Sequence, residues 1–189
     1  FYVHESILDA FLSLAKKAME AIQMGENTGD KILLGPLINK KQQNRVQHII
    51  DRAQKEGASI LCGGKAADKG FFIHPTLIHA KQNMSFIQEE FFGPVMCVIG
   101  YDTKEQAIQW ANETPYGLAS YAFTNNLQDA YFYAENLAFG MVGINEWMPH
   151  GTELPFGGWK QSGIGHELGA EGLKEYLELK LISVGGIHV

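Results

Sequence analysis

A chain of 189 residues is long enough for one domain or one large piece of a bigger protein, and it needs no disulfide or metal staples to hold a core. Hydrophobic residues at 46% and charged residues at 19% exclude an intrinsically disordered chain. The net charge of −6 comes with no basic stripe, no membrane-length apolar run and no signal-peptide pattern, which argues against nucleic acid and membranes as partners.

The chain opens Phe1-Tyr2-Val3 without Met, in a strand-like run that leads straight into a helix, and it reads as a chain cut in mid-fold. From Ser6 to Met24 the residues Ile7, Leu8, Phe11, Leu14, Ala15, Ala18 and Ile22 recur at helical spacing, with Gly25 as the stop. A loop through Gly35-Pro36 precedes a second predicted helix from Asn39 to Glu56, its inner face carrying Val46, Ile49, Ile50 and Ala53. Ser59–Cys62 reads as a short strand, and Phe71–Ile78 as a strand interrupted at Pro75. Val95–Gly100, Leu118–Thr124 and Met141–Ile144 are predicted strands, alternating with helices at Lys104–Glu113 and Leu127–Leu137. This alternation predicts an α/β fold, a mostly parallel sheet flanked by helices.

Two cysteines, Cys62 and Cys97, lie in apolar strand-like runs and read as buried, reduced thiols of a cytoplasmic protein. The histidines show no metal-binding spacing: His166-Glu167 is followed by Gly169 and Ala170, so no zincin site exists, and no metal is expected.

Three stretches stand outside the strand–helix rhythm. Glu89-Glu90-Phe91-Phe92-Gly93-Pro94-Val95 puts carboxylates and flat rings at the mouth of a strand. That arrangement suits a sugar hydroxyl pair and an aromatic base, though solvated glutamates on an ordinary loop would read the same. Pro155–Gly169 is so rich in glycine that its chain-entropy cost suggests a purpose. Tyr176–Val184 alternates, with Leu177, Leu179 and Leu181 to one side and Glu178 and Lys180 to the other. A strand there must pair within its own sheet or with another subunit.

These residues resemble the NAD(P)-dependent aldehyde dehydrogenases. E-E-F-F-G-P-V at 89–95 is similar to that family's E-x-F-G-P-V motif, and P-F-G-G-W-K-Q-S-G-I-G-H-E-L-G at 155–169 to its P-F-G-G-x-K-x-S-G-x-G-R-E-x-G signature. G-F-F-I-H-P-T at 70–76 and G-P-L-I-N at 35–39 resemble two further stretches, in the right order along the whole chain. The resemblance implies the catalytic domain of the aldehyde dehydrogenase fold over residues 1–175, then an oligomerisation strand and tail over 176–189 that would join a homo-oligomer, a dimer or tetramer.

It also implies the site. Glu90 would bond the nicotinamide ribose hydroxyls, as an acceptor-only carboxylate suits, and Phe92 would pack against the nicotinamide of NAD or NADP. Glu89 would face elsewhere. Gln42 and Arg45, on the helix after G-P-L-I-N, match cofactor-contacting positions, or are simply a solvated helix face. Phe156 matches the aromatic position of the aldehyde tunnel, and Asn145, Trp147 and His150 on the preceding loop are candidates for shaping it; a core role for Trp147 is the alternative. His150 stands where some succinate-semialdehyde enzymes carry Ser, which argues against that substrate, and His166 where the family usually carries Arg.

No catalytic residue is expected in this chain. The family's nucleophilic Cys would lie a few residues before the position of Phe1, and its general-base Glu and dinucleotide-binding segment earlier still. Cys62 and Cys97 have no neighbouring cation in sequence to lower their pKa and read as structural. The expected activity is aldehyde oxidation through a thiohemiacetal on that upstream Cys, with this chain alone inactive. Two other readings stay open: a non-catalytic assembly or nucleotide-binding module of the same fold, and a phosphate-dependent acyl-transferring reductase.

Overall fold

The computed structural model describes residues 1–26, 31–147 and 151–186, which fall into two compact units, Phe1–Glu113 and Thr114–Val189. In the first unit, β1 (Tyr2–His4) passes through a single 3-10 turn at Glu5–Ile7 into α1 (Leu8–Ala21). His4 Nδ1 accepts from the Ser6 N–H and caps that turn, so the α-helix starts two residues later than the apolar spacing suggests. Helix α2 (Lys40–Lys55) opens under Asn39, whose side chain accepts from the Gln42 N–H at 2.9 Å.

Strands β2 (Ser59–Cys62), β3 (Thr76–Ala80) and β4 (Val95–Tyr101) join β1 in one sheet of order β1-β4-β3-β2. β1 and β3 both run parallel to β4, and only the edge strand β2 is antiparallel. The expected strand at Phe71–Ile78 begins only at Thr76. Pro75 has no N–H for the ladder, and before it Ile73 makes one isolated bridge to Ala66. Successive residues of β3 and β4 alternate between the sheet's faces. Leu77 and Val98 pack with Leu8 and Leu12 of α1, whereas Ile78 and Ile99 cluster with Val46, Ile49, Ile50 and Ala53 of α2. The sheet is therefore sandwiched between α1 and α2. Helix α3 (Lys104–Asn112), capped by Thr103, follows β4.

The second unit contains β5 (Tyr116–Gly117), β6 (Ala119–Ala122), α4 (Leu127–Asn136), β7 (Met141–Ile144), β8 (Trp159–Lys160) and α5 (Gly169–Lys174). β6 and β7 pair in parallel through the crossover helix α4, and β5 pairs antiparallel with β8. Two-residue strands carry no periodicity, which is why β5 and β8 escape a sequence reading; α5 escapes it because it begins on glycine and contains another.

Tyr176–Val184 does not pair within the described residues, where it forms no ladder. Leu177, Leu179 and Leu181 are all exposed, as are Ile182 and Val184. A strand is defined by its neighbour, and the described residues supply none here.

Candidate functional site

Gly93 explains where the Glu89–Val95 loop lies. A Cβ at that position would sit 3.0 Å from a Val46 methyl, so glycine lets the loop rest this closely on α2 without displacing Val46. The preceding rings then diverge. Phe91 packs into the core against Phe86, with ring centroids 6.2 Å apart, while the Phe92 ring is 70% exposed. Phe92 achieves this with φ of 49°, in the left-handed region that costs a side-chain-bearing residue about 1 kcal/mol or more.

What holds that conformation is α2. Gln42 Nε2 donates to the carbonyls of Phe91 and Phe92 at 2.9 and 3.1 Å. Arg45 donates from Nη1 to the Phe91 carbonyl at 3.1 Å and from Nη2 to the Glu90 carbonyl at 2.6 Å. Both residues expected at the cofactor thus hold the loop that carries Glu90 and Phe92. Glu89 turns to Arg52 in an ion pair, the structural part expected of it. The Glu90 carboxylate is exposed and makes no hydrogen bond or ion pair among the described residues, so both oxygens are open to a ligand. Beside the loop lies an open, largely apolar depression of about 630 Å³, walled by Leu34–Ile38 with Gly93 and Pro94.

Three residues that fix this region carried no motif. Arg52 ties down Glu89, while Ser85 donates to the Glu56 carboxylate from its hydroxyl and from its N–H, the latter at 2.8 Å. Those two bonds, the hydroxyl's first, hold Glu56 below the ordinary Glu value of 4.5. Positions 42, 45, 52 and 56 recur at helical spacing, and that stripe was the available signal.

In the second unit the glycine-rich run closes on itself. Phe156 and Glu167 exchange both backbone bonds, at 2.8 and 2.7 Å. Gly140 lies under the run so closely that a Cβ there would be 2.0 Å from the Gly157 carbonyl oxygen. The Phe156 ring is left partly exposed. Trp147 is 71% exposed and packs into neither core cluster. Asn145 has φ of 56°, and its amide clasps Thr124 twice: Oδ1 accepts from the Thr124 N–H at 2.9 Å and Nδ2 donates to the Thr124 carbonyl at 2.8 Å. Its polar atoms thus serve the end of the β6–β7 pair. His150 lies outside the described residues. His166 donates from its backbone N–H to Glu175 Oε1 at 3.2 Å.

Burial pushes the Cys97 thiol up to about 11, so it stays protonated near neutrality, and Cys62 Sγ lies 3.8 Å from the Pro75 carbonyl oxygen. Among the described residues no group of three or more His, Cys, Asp or Glu side chains could hold a metal, and no helix is long and apolar enough to cross a membrane.

The family model described as "Aldehyde dehydrogenase family" matches residues 1–182. This chain belongs to the aldehyde dehydrogenase family. A mitochondrial aldehyde dehydrogenase of Leishmania tarentolae is 42% identical over 183 residues, covering 96% of this chain and 37% of that protein. A putative aldehyde dehydrogenase of Staphylococcus aureus is 41% identical over 186 residues, 96% of this chain and 39% of its own length. Among solved structures, lactaldehyde dehydrogenase of Escherichia coli superposes with a TM-score of 0.91 at 40% identity, over 96% of this chain and 39% of that one. The NAD+ complex of a Bacillus cereus aldehyde dehydrogenase gives a TM-score of 0.89 at 38% identity, over 95% of this chain and 37% of that one. The chain spans a little under two-fifths of the length of the curated relatives it matches. It has the α/β architecture of its solved relatives.

Proposed function

We propose that this chain is the C-terminal catalytic-domain segment of an NAD(P)-dependent aldehyde dehydrogenase, and that the whole protein oxidises an aldehyde to a carboxylic acid. One observation carries the reading within this segment. Glu90 and Phe92 stand on a loop pinned to α2, the carboxylate unpartnered among the described residues and the ring facing solvent. A carboxylate with both oxygens open can accept from two vicinal ribose hydroxyls, and an exposed ring beside it can lie against a flat heterocycle. Gln42 and Arg45 belong to the same cofactor site. Bound there, the nicotinamide supplies the hydride acceptor.

Phe156 flanks the aldehyde's side chain and keeps water from it, and Trp147, Asn145 and His150 shape the same tunnel. The thiol that attacks the carbonyl carbon and the base that activates water belong to the protein outside this chain, because Cys97 is held protonated and Cys62 lacks an activating cation. Two free thiols support a reducing compartment, the cytoplasm, as the protein's location. Residues 1–175 form the catalytic-domain part, and Tyr176–Val184, exposed and unpaired among the described residues, pairs with a second copy. Deleting Tyr176–Val184 from the full-length protein should dissociate the oligomer in sedimentation; an unchanged oligomer refutes the pairing.

The deciding experiment is Glu90→Gln in the full-length protein. It keeps the shape and removes the charge, and should slow turnover or raise the NAD(P) requirement. Unchanged rates at every cofactor concentration would show that Glu90 does not hold the ribose. The isolated 189-residue chain should form no NADH from aldehyde and NAD above a heat-treated control.

A further inference from the structure

Helix α2 and its C-cap Glu56 meet the segment before β4 at four successive points. Glu56 takes Ser85, Arg52 takes Glu89, Arg45 takes the carbonyls of Glu90 and Phe91, and Gln42 takes those of Phe91 and Phe92. The order along the helix is the reverse of the order along the segment, so the segment runs antiparallel to α2 and is registered on it residue by residue. Between the polar anchors, Phe86 and Phe91 fill the core beneath, and Gly93 rests on Val46. The anchors are densest at one place. Four of the side-chain bonds converge on three consecutive carbonyls, those of the residues flanking and carrying the clamp.

Two features make this convergence more than loop packing. It falls on Phe92, whose left-handed backbone is unfavourable for a residue with a Cβ and needs an external hold. And the guanidinium is bidentate, spanning the Glu90 and Phe91 carbonyls in one rigid fork, so it fixes the peptide plane between them. That plane sets the direction in which the Glu90 side chain leaves the backbone. We propose that Arg45 and Gln42 are positioning residues: they act on the cofactor through Glu90 and Phe92, by locking the clamp's backbone before anything binds. The proposal deepens the reading of this segment as the nicotinamide-holding part of an aldehyde dehydrogenase and rests on it.

A group that acts through another loses its effect when that other group is gone, whereas a direct ligand keeps it. The test is therefore a double-mutant cycle in the full-length protein, with NAD as the probe. Arg45→Ala should lower kcat/KM for NAD about tenfold, the scale of a lost charged hydrogen bond. In a Glu90→Ala, Phe92→Ala background the same change should alter it less than about twofold. Gln42→Leu should behave alike with a smaller single effect, and Arg45→Lys, which reaches one carbonyl, should fall between wild type and Arg45→Ala. Without cofactor, the Gly93 and Val95 amides should exchange faster in Arg45→Ala than in wild type.

Full additivity in the cycle, or an Arg45→Ala enzyme with wild-type kinetics, overturns the proposal. So does unchanged exchange at Gly93 and Val95, a readout that needs no cofactor. If instead Glu90→Ala, Phe92→Ala alone leaves NAD kinetics intact while exchange still rises in Arg45→Ala, the loop lock stands and the clamp reading fails. Should Arg45→Ala not fold, the Gln42→Leu cycle decides alone.

Discussion

Phe86 lies in the core beneath the loop that carries Glu90 and Phe92. Its ring is 0% exposed, lies against Phe91, and shares a cluster with Val46, Ile49, Ile50 and Ile78. Truncating it as Phe86→Ala removes a fully buried ring. At about 150 Å² and about 25 cal/mol per Å² the transfer loss alone is ~4 kcal/mol against an extended chain, an upper bound. The residual cavity adds to what remains after that discount, so about 3–5 kcal/mol is expected, in line with core Phe→Ala changes. Phe86→Leu keeps most of the volume and should cost about 1–2 kcal/mol. Amide exchange across α2 reads this directly, because its inner face closes over the same ring. A loss of about 3 kcal/mol raises the exchange of its slowest amides about a hundredfold, at 1.4 kcal/mol per factor of ten. An increase below about tenfold in Phe86→Ala would mean that the ring does not hold the α2 layer and the loop together.

Three further outcomes are expected. Phe92→Gly removes the left-handed penalty and only a mostly exposed ring, so stability should hold or rise by up to about 1 kcal/mol in denaturant titration while cofactor use falls; a clear destabilisation refutes the strain. Gly140→Ala drives a Cβ against the Gly157 carbonyl and should cost about 1–3 kcal/mol by thermal melting, against no change for Gly185→Ala, which has open space around it. The Glu56 carboxylate has its pKa lowered by the Ser85 hydroxyl and N–H, so its contribution is present above the ordinary 4.5 and fades as pH falls through the depressed folded value. Melts of wild type and Glu56→Gln should therefore converge as pH drops below 4.5, and curves that stay parallel would count against that link.

Much of the first unit could be read in advance because its signals are periodic. Asn39 announces α2 as a cap, and Val46, Ile49, Ile50 and Ala53 return at helical steps, so both its start and its buried face follow from spacing. The apolar run at Val95–Ile99 likewise reads as a strand, and it lies within β4, where Val98 and Ile99 are buried. What escaped is non-periodic. A motif comparison can mark Gln42 and Arg45 as belonging to the site, but no sequence rule says that their donors end on backbone carbonyls nearly fifty residues away. The alternation at Tyr176–Val184 describes how a strand would present its side chains. It does not supply the neighbour that makes one, and in the single chain the segment stays unpaired among the described residues.

Backbone strain separates site from scaffold here more sharply than side-chain chemistry does. The described residues hold four non-glycine positions with positive φ: Phe92, Asn145, Lys160 and Leu168. Each lies in a stretch marked by motif or loop position, and none lies in the sheet or its two covering helices. Each is also held. Phe92 gives its carbonyl to Gln42, and Asn145 clasps Thr124. Lys160 donates from Nζ to the Thr114 carbonyl at 3.2 Å, and Leu168 accepts from the Gly172 N–H at 2.8 Å. Left-handed residues cost free energy, so an unheld one would relax; fixed bonds at every such position keep these segments in conformations the chain alone would leave. An exposed ring or carboxylate on a loop free to relax would lose ordering entropy on each binding event. On a loop held in advance that cost falls on folding instead, and in the proposed cofactor role the ring of Phe92 would meet its ligand already placed.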